Sequence, residues 1–340
     1  MLRYNRILSV LAVPFLVFPL HAQALPERTV CVFDIVGASG DVYNMMQDYR
    51  AAAREWGVDV QLRAYTDEQI AMEELTGGLC DAAAITGVRA RQINNYTGTL
   101  DSAGAIPDYD TLETVMRVLA SGKDEINQHL RDENYEVMGL GPMGAAYLFV
   151  KDQSIDNVNA LAGKSIAVME YDEAQARLAA HVGMSPVMSD ITNFAGRFNN
   201  HSVDICFAPA AAYSALELYR GLTDEGGVVD YPLGQLTLQL IGHKDRFPEE
   251  FAQKSREYFY EEMFERGMQV VNNAYEDIAE HRWIDIPDED RREYDEMMRQ
   301  ARLDMREDGI YNGEMLALLR NIRCRLYPGR AECGDDLELQ

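Results

Sequence analysis

The first 90 residues alternate between strand and helix patterns, and this alternation restricts the fold more than any other feature. Residues 29–36 are rich in apolar and β-branched side chains, as strands are. Residues 42–56 carry apolar side chains at spacings of three and four, which predicts a helix. Strands are also predicted at residues 58–65 and 81–87, with a short helix between them. A β-α-β-α-β order predicts a parallel sheet covered by helices.

A smaller set of the same kind follows in the middle of the chain. Strands are predicted at residues 165–169 and 202–208, with extended chain at 186–188 and helices between. A long helix is predicted at residues 108–131 and a further helix at 209–219, with extended chain at 136–144 and 147–151. The chain beyond residue 249 is predicted to be helical, with helices at 249–279, 288–307 and 313–326. We therefore expect two α/β lobes with a cleft between them, joined by crossing strands and followed by long C-terminal helices.

The predicted division has three parts. Residues 1–24 form a leader, residues 25–148 with about 233–340 form lobe 1, and residues 149–232 form lobe 2. In the leader, Arg3 and Arg6 precede an apolar run at residues 7–20, and an A-x-A site ends at Ala24. This order is typical of a secretory signal peptide cut after Ala24. The run is shorter than a membrane span and contains two prolines, so we expect export to the periplasm.

The charge balance restricts the partners. The chain has 31 Lys and Arg against 56 Asp and Glu, a net charge of −25. Binding to nucleic acid is not expected, because phosphate backbones are held by clustered basic side chains. The histidines lack metal-ligand spacing, so no cofactor is expected. No nucleophile–base motif or dinucleotide-binding glycine pattern occurs, and we expect no enzymatic activity.

The five cysteines predict two disulfides in an oxidising compartment. Cys324 and Cys333 flank a Pro-Gly turn in the C-terminal tail. Cys31 lies in the first predicted strand and Cys80 just before the third, and these strands are expected to be neighbours. Cys206 is expected to be a free thiol in the core.

The middle of the chain resembles a known family. Residues 139–168 (GLGPMGAAYLFVKDQSIDNVNALAGKSIAV) are similar to the crossover segment of TRAP-transporter (DctP-like) extracytoplasmic solute receptors, in which a glycine-rich strand leads into an I-x-s-x-x-D-L-x-G-x-K-I-R-V pattern. The next segment resembles the family's lGa-x-P-V-x-m and G-x-v-D patterns. The matching residues are Ile155, Leu161, Gly163, Ile166, Val168, Gly183, Pro186, Val187, Val203 and Asp204. The element order agrees over most of the mature chain, with few identities, as in a divergent branch.

The resemblance implies a periplasmic-binding-protein-like fold and a receptor function. Such a receptor captures a small polar or anionic solute between two lobes and delivers it to membrane transporter subunits, and it is expected to be a monomer. Two other functions remain open: an accessory protein of an envelope or efflux assembly, and a periplasmic enzyme on the same scaffold.

One position departs from the family pattern. The family's signature arginine, which pairs with a substrate carboxylate, corresponds to Ala167 here. Either the solute is not a simple carboxylate, or Arg89, Arg91 or Arg197 takes over this role. Arg89 and Arg91 follow the carboxyl end of the third predicted strand, where ligands bind in open α/β sheets.

The remaining site candidates follow the carboxyl ends of other predicted strands or lie close to them. The glycine-rich loop at residues 37–41 either offers backbone N–H groups to an anionic or polar ligand or is a plain tight turn. The complete candidate set is Ser39, Asp41, Tyr43, Arg89, Arg91, Tyr147, Glu170, Tyr171, Asn193, Arg197, Phe207 and Tyr213.

Overall fold

The computed structural model describes residues 24–339. The predicted signal peptide lies outside these residues except for Ala24. The strands are β1 (Glu27–Phe33), β2 (Asp59–Tyr65), β3 (Ala82–Thr86), β4 (Tyr135–Val150), β5 (Ser165–Met169), β6 (Ser185–Ser189), β7 (Ile205–Pro209), β8 (Gly227–Val229), β9 (Gly234–His243) and β10 (Trp283–Ile284).

The strands form one mixed sheet, with the order β2-β1-β3-β9-β4-β7-β5-β6 along its main path. The parallel group β2-β1-β3 carries lobe 1, and the parallel group β7-β5-β6 carries lobe 2. The antiparallel strands β9 and β4 lie between them and join the two groups. This α/β architecture agrees with the expected fold class.

Strand β4 is continuous where the sequence predicted two extended segments, at residues 136–144 and 147–151. It pairs with β9 through two irregularities, between Val137 and Gly139 and between Pro142 and Gly144. Gly144 has φ +97°, a conformation that favours glycine. Bulges bend a strand without ending it, so the Gly- and Pro-rich sequence redirects β4 instead of breaking it.

The first group of helices comprises α1 (Asp41–Glu55), α2 (Glu68–Thr76), α3 (Gly87–Ala90), α4 (Asn95–Gly98), α5 (Tyr109–Leu119) and α6 (Asp124–Asn127). The predicted helix over residues 108–131 is therefore two helices. Gly122 lies between them with φ +70°, which a continuous right-handed helix cannot include.

The remaining helices are α7 (Glu173–His181), α8 (Phe194–Asn199), α9 (Ala212–Ala215), α10 (Tyr219–Leu222), α11 (Phe251–Tyr258), α12 (Phe264–Glu276), α13 (Asp288–Glu307) and α14 (Gly313–Leu326). A π-helical turn, Phe259–Met263, joins α11 to α12. The predicted helix at residues 209–219 is wrong: two single-turn helices, α9 and α10, occupy this region, and Glu217 between them has φ +55°.

The C-terminal helices contact both lobes. Helix α13 packs on α7 of lobe 2, whereas α14 packs on α5 of lobe 1. A small apolar cluster joins Ala174 of α7 to Met305 of α13 and Leu316 of α14. Both expected disulfides are present, Cys31–Cys80 and Cys324–Cys333, and Cys206 is a buried free thiol. Within residues 24–339, no helix has the length and apolar character needed to cross a membrane.

Candidate functional site: an apolar cavity between the lobes

A cavity of about 200 Å³ lies between the lobes, next to the bulged part of β4. Lobe 1 contributes the ends of β1 and β3 and the start of α1. Lobe 2 contributes the end of β7 and the residues around α8 and α9, and α12 closes one side. The lining is mostly apolar and includes Phe33, Ile35, Val36, Val42, Met45, Tyr109, Pro142, Met143, Tyr147, Ile191, Phe194, Ala210, Ala211, Ala212, Leu216, Leu236, Val270, Val271, Ala274 and Tyr275.

Three tyrosines give this cavity an aromatic wall. The Tyr109 hydroxyl accepts a hydrogen bond from the backbone N–H of Ala145 at 3.1 Å. Tyr147 is buried, and burial raises its pKa well above the usual value. Tyr275 stacks on Trp283 with ring centroids 4.3 Å apart, and the ring of Tyr147 meets Trp283 edge-on. Neutral, fixed aromatic rings form a surface suited to apolar or aromatic solutes.

The charged side chains that line the cavity within residues 24–339 are two acids, Asp34 and Asp41. Asp34 accepts hydrogen bonds from the backbone N–H groups of Val36 at 2.9 Å and Tyr43 at 3.1 Å. Burial raises the pKa of Asp34, and these hydrogen bonds oppose the shift. A side chain at Gly40 would collide with the Asp34 carboxyl group, which explains the glycine there. The start of α1, predicted as an anion site, therefore already holds a carboxylate of the chain itself.

Asp41 lies at the mouth of the cavity. Its side chain is exposed and forms no hydrogen bond or ion pair within the described part of the chain. It is thus a solvated negative charge on the lining, and it faces no cation contributed by the cavity.

Arg89 lies in a polar contact between the lobes and is absent from the cavity lining. Its guanidinium lies over the ring of Tyr171 from lobe 2, 3.4 Å from the ring centroid. Its Nε is 3.8 Å from the carboxylate of Glu68, a fully buried residue. Glu68 also accepts hydrogen bonds from the Tyr171 hydroxyl at 3.2 Å and the Thr86 backbone N–H at 2.6 Å. Burial raises the pKa of Glu68, while these bonds and the charge of Arg89 oppose the rise.

Arg91 makes a second contact of this kind. Its Nη1 donates to Asp172 of lobe 2 at 2.8 Å, and its Nε donates to the carbonyl of Gly98 at 3.1 Å. Burial alone would lower the pKa of Arg91, but the charge of Asp172 raises it. We call Glu68, Arg89, Arg91, Tyr171 and Asp172 together the arginine seam. In it, two of the three arginines that the sequence offered for a ligand lie against carboxylates of the chain: Arg91 is hydrogen-bonded to Asp172, and Arg89 has Glu68 3.8 Å from its Nε, which has no hydrogen-bond partner within the described residues.

The other predicted site residues are distributed more widely. Asp41 and Tyr147 line the cavity, and the Tyr43 backbone donates to Asp34. Arg197 is half-buried, and its Nε donates to the Asn193 side chain at 3.4 Å. Four candidates lie away from the cavity lining. Ser39 and Glu170 are exposed, and Tyr213 packs against Tyr219. Phe207 borders a separate apolar space of about 40 Å³ in lobe 2.

Ala167, at the position of the family's arginine, is buried in β5. It belongs to the apolar cluster that contains Tyr147 and Phe194, two residues of the cavity wall. The cavity wall is thus apolar on this side, and no cation replaces the missing arginine among the lining residues that the structure describes.

Comparison with solved structures identifies the class of fold. A TRAP periplasmic solute-binding protein from Desulfovibrio salexigens, determined with bound orotic acid, superimposes with a TM-score of 0.73 at 13% identity, covering 88% of this chain and 99% of that one. The sugar acid binding protein DctPAm from Advenella mimigardefordensis, in complex with galactonate, gives a TM-score of 0.72 at 10% identity, covering 89% and 99%. The chain therefore has the fold of TRAP-type solute-binding proteins, as the resemblance implied.

Sequence comparison identifies the family within this class. The family model for "Solute-binding protein AdeT 1/2" matches residues 50–338. The probable solute-binding protein AdeT1 of Acinetobacter baumannii is 41% identical over 303 residues, which is 89% of this chain and 99% of that protein. The probable solute-binding protein AdeT2 of the same species is 26% identical over 239 residues, 69% of this chain and 98% of that protein. The chain belongs to the AdeT 1/2 solute-binding protein family.

Proposed function

We propose that this protein is a periplasmic receptor that binds one small solute in the interlobe cavity and delivers it to a membrane transporter. The observation that carries the proposal is the cavity itself. It is built from both lobes, at the carboxyl ends of β1, β3 and β7, which is where ligands bind in open α/β sheets. A solute held there contacts both lobes at once and so favours the closed arrangement.

The proposal includes binding without chemical turnover. The cavity lining, within residues 24–339, contains no serine, cysteine, histidine, lysine or arginine, the side chains that most often serve as nucleophiles or bases. It also includes export through the predicted signal peptide cut after Ala24, action as a single chain, and transporter subunits as the membrane partner. The two lobes are proposed to extend over residues 25–148 with about 233–340, and over 149–232.

A thermal-shift screen of the purified mature chain tests the binding function without assuming a solute. The screen covers amines, amino acids, sugars and organic acids. We expect at least one compound to raise the melting temperature in proportion to the logarithm of its concentration, because a ligand that binds only the folded state stabilises it by mass action.

A pair of variants locates the binding. Ala211 is half-buried and lines the cavity, so Ala211→Phe fills part of it. Ala180→Phe introduces the same side chain on the exposed surface of α7. The stabilisation should disappear in Ala211→Phe and persist in Ala180→Phe. If no compound stabilises the chain while a membrane or envelope protein co-purifies with it, the accessory function replaces the receptor function.

A further inference from the structure

We infer that the solute is a compact aromatic molecule that carries an amine and no carboxylate. This inference rests on the proposed receptor function and names the chemical class of its solute. It arises from the juxtaposition of an aromatic, cation-free cavity with arginines that are already paired to carboxylates of the chain.

The size and surface of the cavity limit the body of the solute. Apolar cavities of about 150 Å³ accept a molecule the size of benzene, so a cavity of about 200 Å³ accepts a solute of roughly ten non-hydrogen atoms. The rings of Phe33, Tyr109, Phe194 and Tyr275 border it, and Met45 and Met143 also line it. Aromatic and thioether side chains favour a flat aromatic solute through ring and sulfur–ring contacts.

The charges exclude a carboxylate. A buried anion needs a cation or several hydrogen-bond donors to replace its lost hydration. The described lining offers no Lys, Arg or His, and the backbone donors at the start of α1 are directed at Asp34. Arg91 is hydrogen-bonded to Asp172, and Arg89, which is absent from the lining, lies over the ring of Tyr171 with the Glu68 carboxylate 3.8 Å from its Nε. A solute carboxylate would therefore enter an apolar cavity that already has two acids on its lining.

The same charges favour a cation at the mouth. Asp41 is exposed, lies on the lining, and has no partner within residues 24–339. An ammonium group close to Asp41 keeps part of its hydration and gains an opposite charge, while its aromatic body leaves water. Rings that line the cavity also attract a cation placed over their faces. One molecule with an aromatic body and a terminal amine satisfies both parts of the surface.

Three probes of nearly equal size separate the charge states: 2-phenylethylamine, 2-phenylethanol and phenylacetate. Titration calorimetry of the mature chain at pH 7 compares a cation, a neutral molecule and an anion. We expect the amine to bind at least about tenfold more tightly than phenylacetate, with the alcohol in between. Ala211→Phe should abolish amine binding, and Ala180→Phe should leave it unchanged.

A charge-matched pair of variants tests the position of the amine. Asp41→Asn should weaken 2-phenylethylamine about threefold, the loss expected for one exposed charge pair, without affecting 2-phenylethanol. Glu55→Gln removes the same charge from an exposed position on the same helix, away from the cavity, and should change neither affinity. Unchanged amine affinity in Asp41→Asn would overturn the assignment of the amine to this mouth.

The outcomes distinguish the inference from the function beneath it. If phenylacetate binds as tightly as the amine and Ala211→Phe blocks it, the inference is overturned and the receptor function stands. If none of the three probes binds while a sugar or an organic acid stabilises the chain, the inference is again overturned and the function stands. If no compound in the broader screen binds, both are overturned.

Discussion

The interlobe cavity and the arginine seam lie side by side, and they bring the lobes together in opposite ways. In the cavity, apolar and aromatic side chains come from both lobes, and the lining also includes a buried acid, Asp34, and an exposed one, Asp41. In the seam, two arginines of lobe 1 contact Tyr171 and Asp172 of lobe 2 directly. The two regions meet at Thr86, which lines the cavity and donates its N–H to Glu68. The arginines of the seam thus lie against side chains of the chain itself, whereas the lining of the cavity is mostly apolar.

This difference underlies our inference about the solute class. The resemblance implied an arginine that binds a solute carboxylate, with Arg89, Arg91 or Arg197 as the substitute for the missing one. In the structure, Arg91 forms an ion pair with Asp172 of the same chain, and the carboxylate of Glu68 lies 3.8 Å from Arg89. The carboxylate that pairs with Arg91 across the lobes therefore comes from the protein and not from a solute. We therefore expect seam substitutions to change stability, and cavity substitutions to change binding.

Removal of Arg91 should have the largest effect on stability. Arg91→Ala leaves the buried carboxylate of Asp172 without its cation, and breaking one side of a buried pair costs about 3–5 kcal/mol. Denaturant unfolding measures the loss. The control is Lys254→Ala, which removes an exposed ion pair with Glu250, 3.0 Å away at the start of the same helix, and should cost no more than about 0.5 kcal/mol.

The double variant Arg91→Met/Asp172→Leu sharpens this test. It removes both charges, so most of the lost stability should return. Asp172 also accepts a hydrogen bond from the N–H of Ala174 at the start of α7, and the recovery should therefore fall short by about 1 kcal/mol. If Arg91→Ala and Lys254→Ala have equal effects, the pair does not hold the lobes together.

A carboxyl group near the seam makes stability depend on pH. Asp101 accepts hydrogen bonds from the hydroxyl and N–H of Thr237, and burial raises its pKa to about 7. Between pH 4 and 7 the folded chain retains a proton that the unfolded chain has released. Stability should therefore fall as the pH rises through this range, by at least about 1.4 kcal/mol, the equivalent of one pKa unit.

Asp101→Asn should remove most of this decline, since an amide does not titrate. Unfolding curves at pH 4, 5.5 and 7 measure it. Glu55→Gln gives the general effect of removing one acid from a chain with a net charge of −25. Parallel pH profiles for Asp101→Asn and the original chain would contradict the assignment.

Tyr171 offers a smaller change in the seam. Tyr171→Phe removes the hydroxyl that donates to Glu68 at 3.2 Å but keeps the ring beneath Arg89. We expect a loss of about 1 kcal/mol, the net value of one hydrogen bond. Tyr219→Phe is the matched control, because the hydroxyl of Tyr219 contacts Glu217 on the exposed surface. A loss no larger than in this control would mean that the hydroxyl contributes nothing to the seam.

The sequence predicted the parts of the fold that local patterns determine. The strand Ser165–Met169 and the helices Asp288–Glu307 and Gly313–Leu326 have the predicted bounds, because their apolar spacing and their ends agree. Strand β4 was predicted in two pieces because Gly139, Gly141 and Gly144 normally interrupt strands. At Gly139 the reason is tertiary: a side chain there would meet the ring of Phe259 at 2.4 Å.

The site was less accessible to sequence reasoning. The ends of the predicted strands pointed to the region of the candidate cavity, and Asp41 and Tyr147 from this reasoning line it. The aromatic residues Tyr109 and Tyr275 were missed because they belong to helices outside the two sheet groups. The pairing of Arg91 with Asp172, 81 positions away, depends on how the lobes meet. No local sequence pattern distinguishes an arginine that is available to bind a solute from one that is paired with a carboxylate of the protein.

The smallest effect on stability is expected for a substitution in the cavity wall, and it tests the contrast between the cavity and the arginine seam most directly. Val270 is half-buried and lines the cavity, so Val270→Ala should cost less than about 1 kcal/mol of stability. Val118→Ala is the control, a half-buried valine of α5 away from the cavity, with a similar expected cost.

The two variants should differ in binding. Only Val270→Ala should lower the affinity for an apolar solute, by a factor of several, because only it removes side-chain surface that contacts the solute. Calorimetric titration with 2-phenylethanol measures this difference. Equal affinities in the two variants would place the solute elsewhere, whereas a loss confined to Val270→Ala assigns binding to the cavity that carries no arginine.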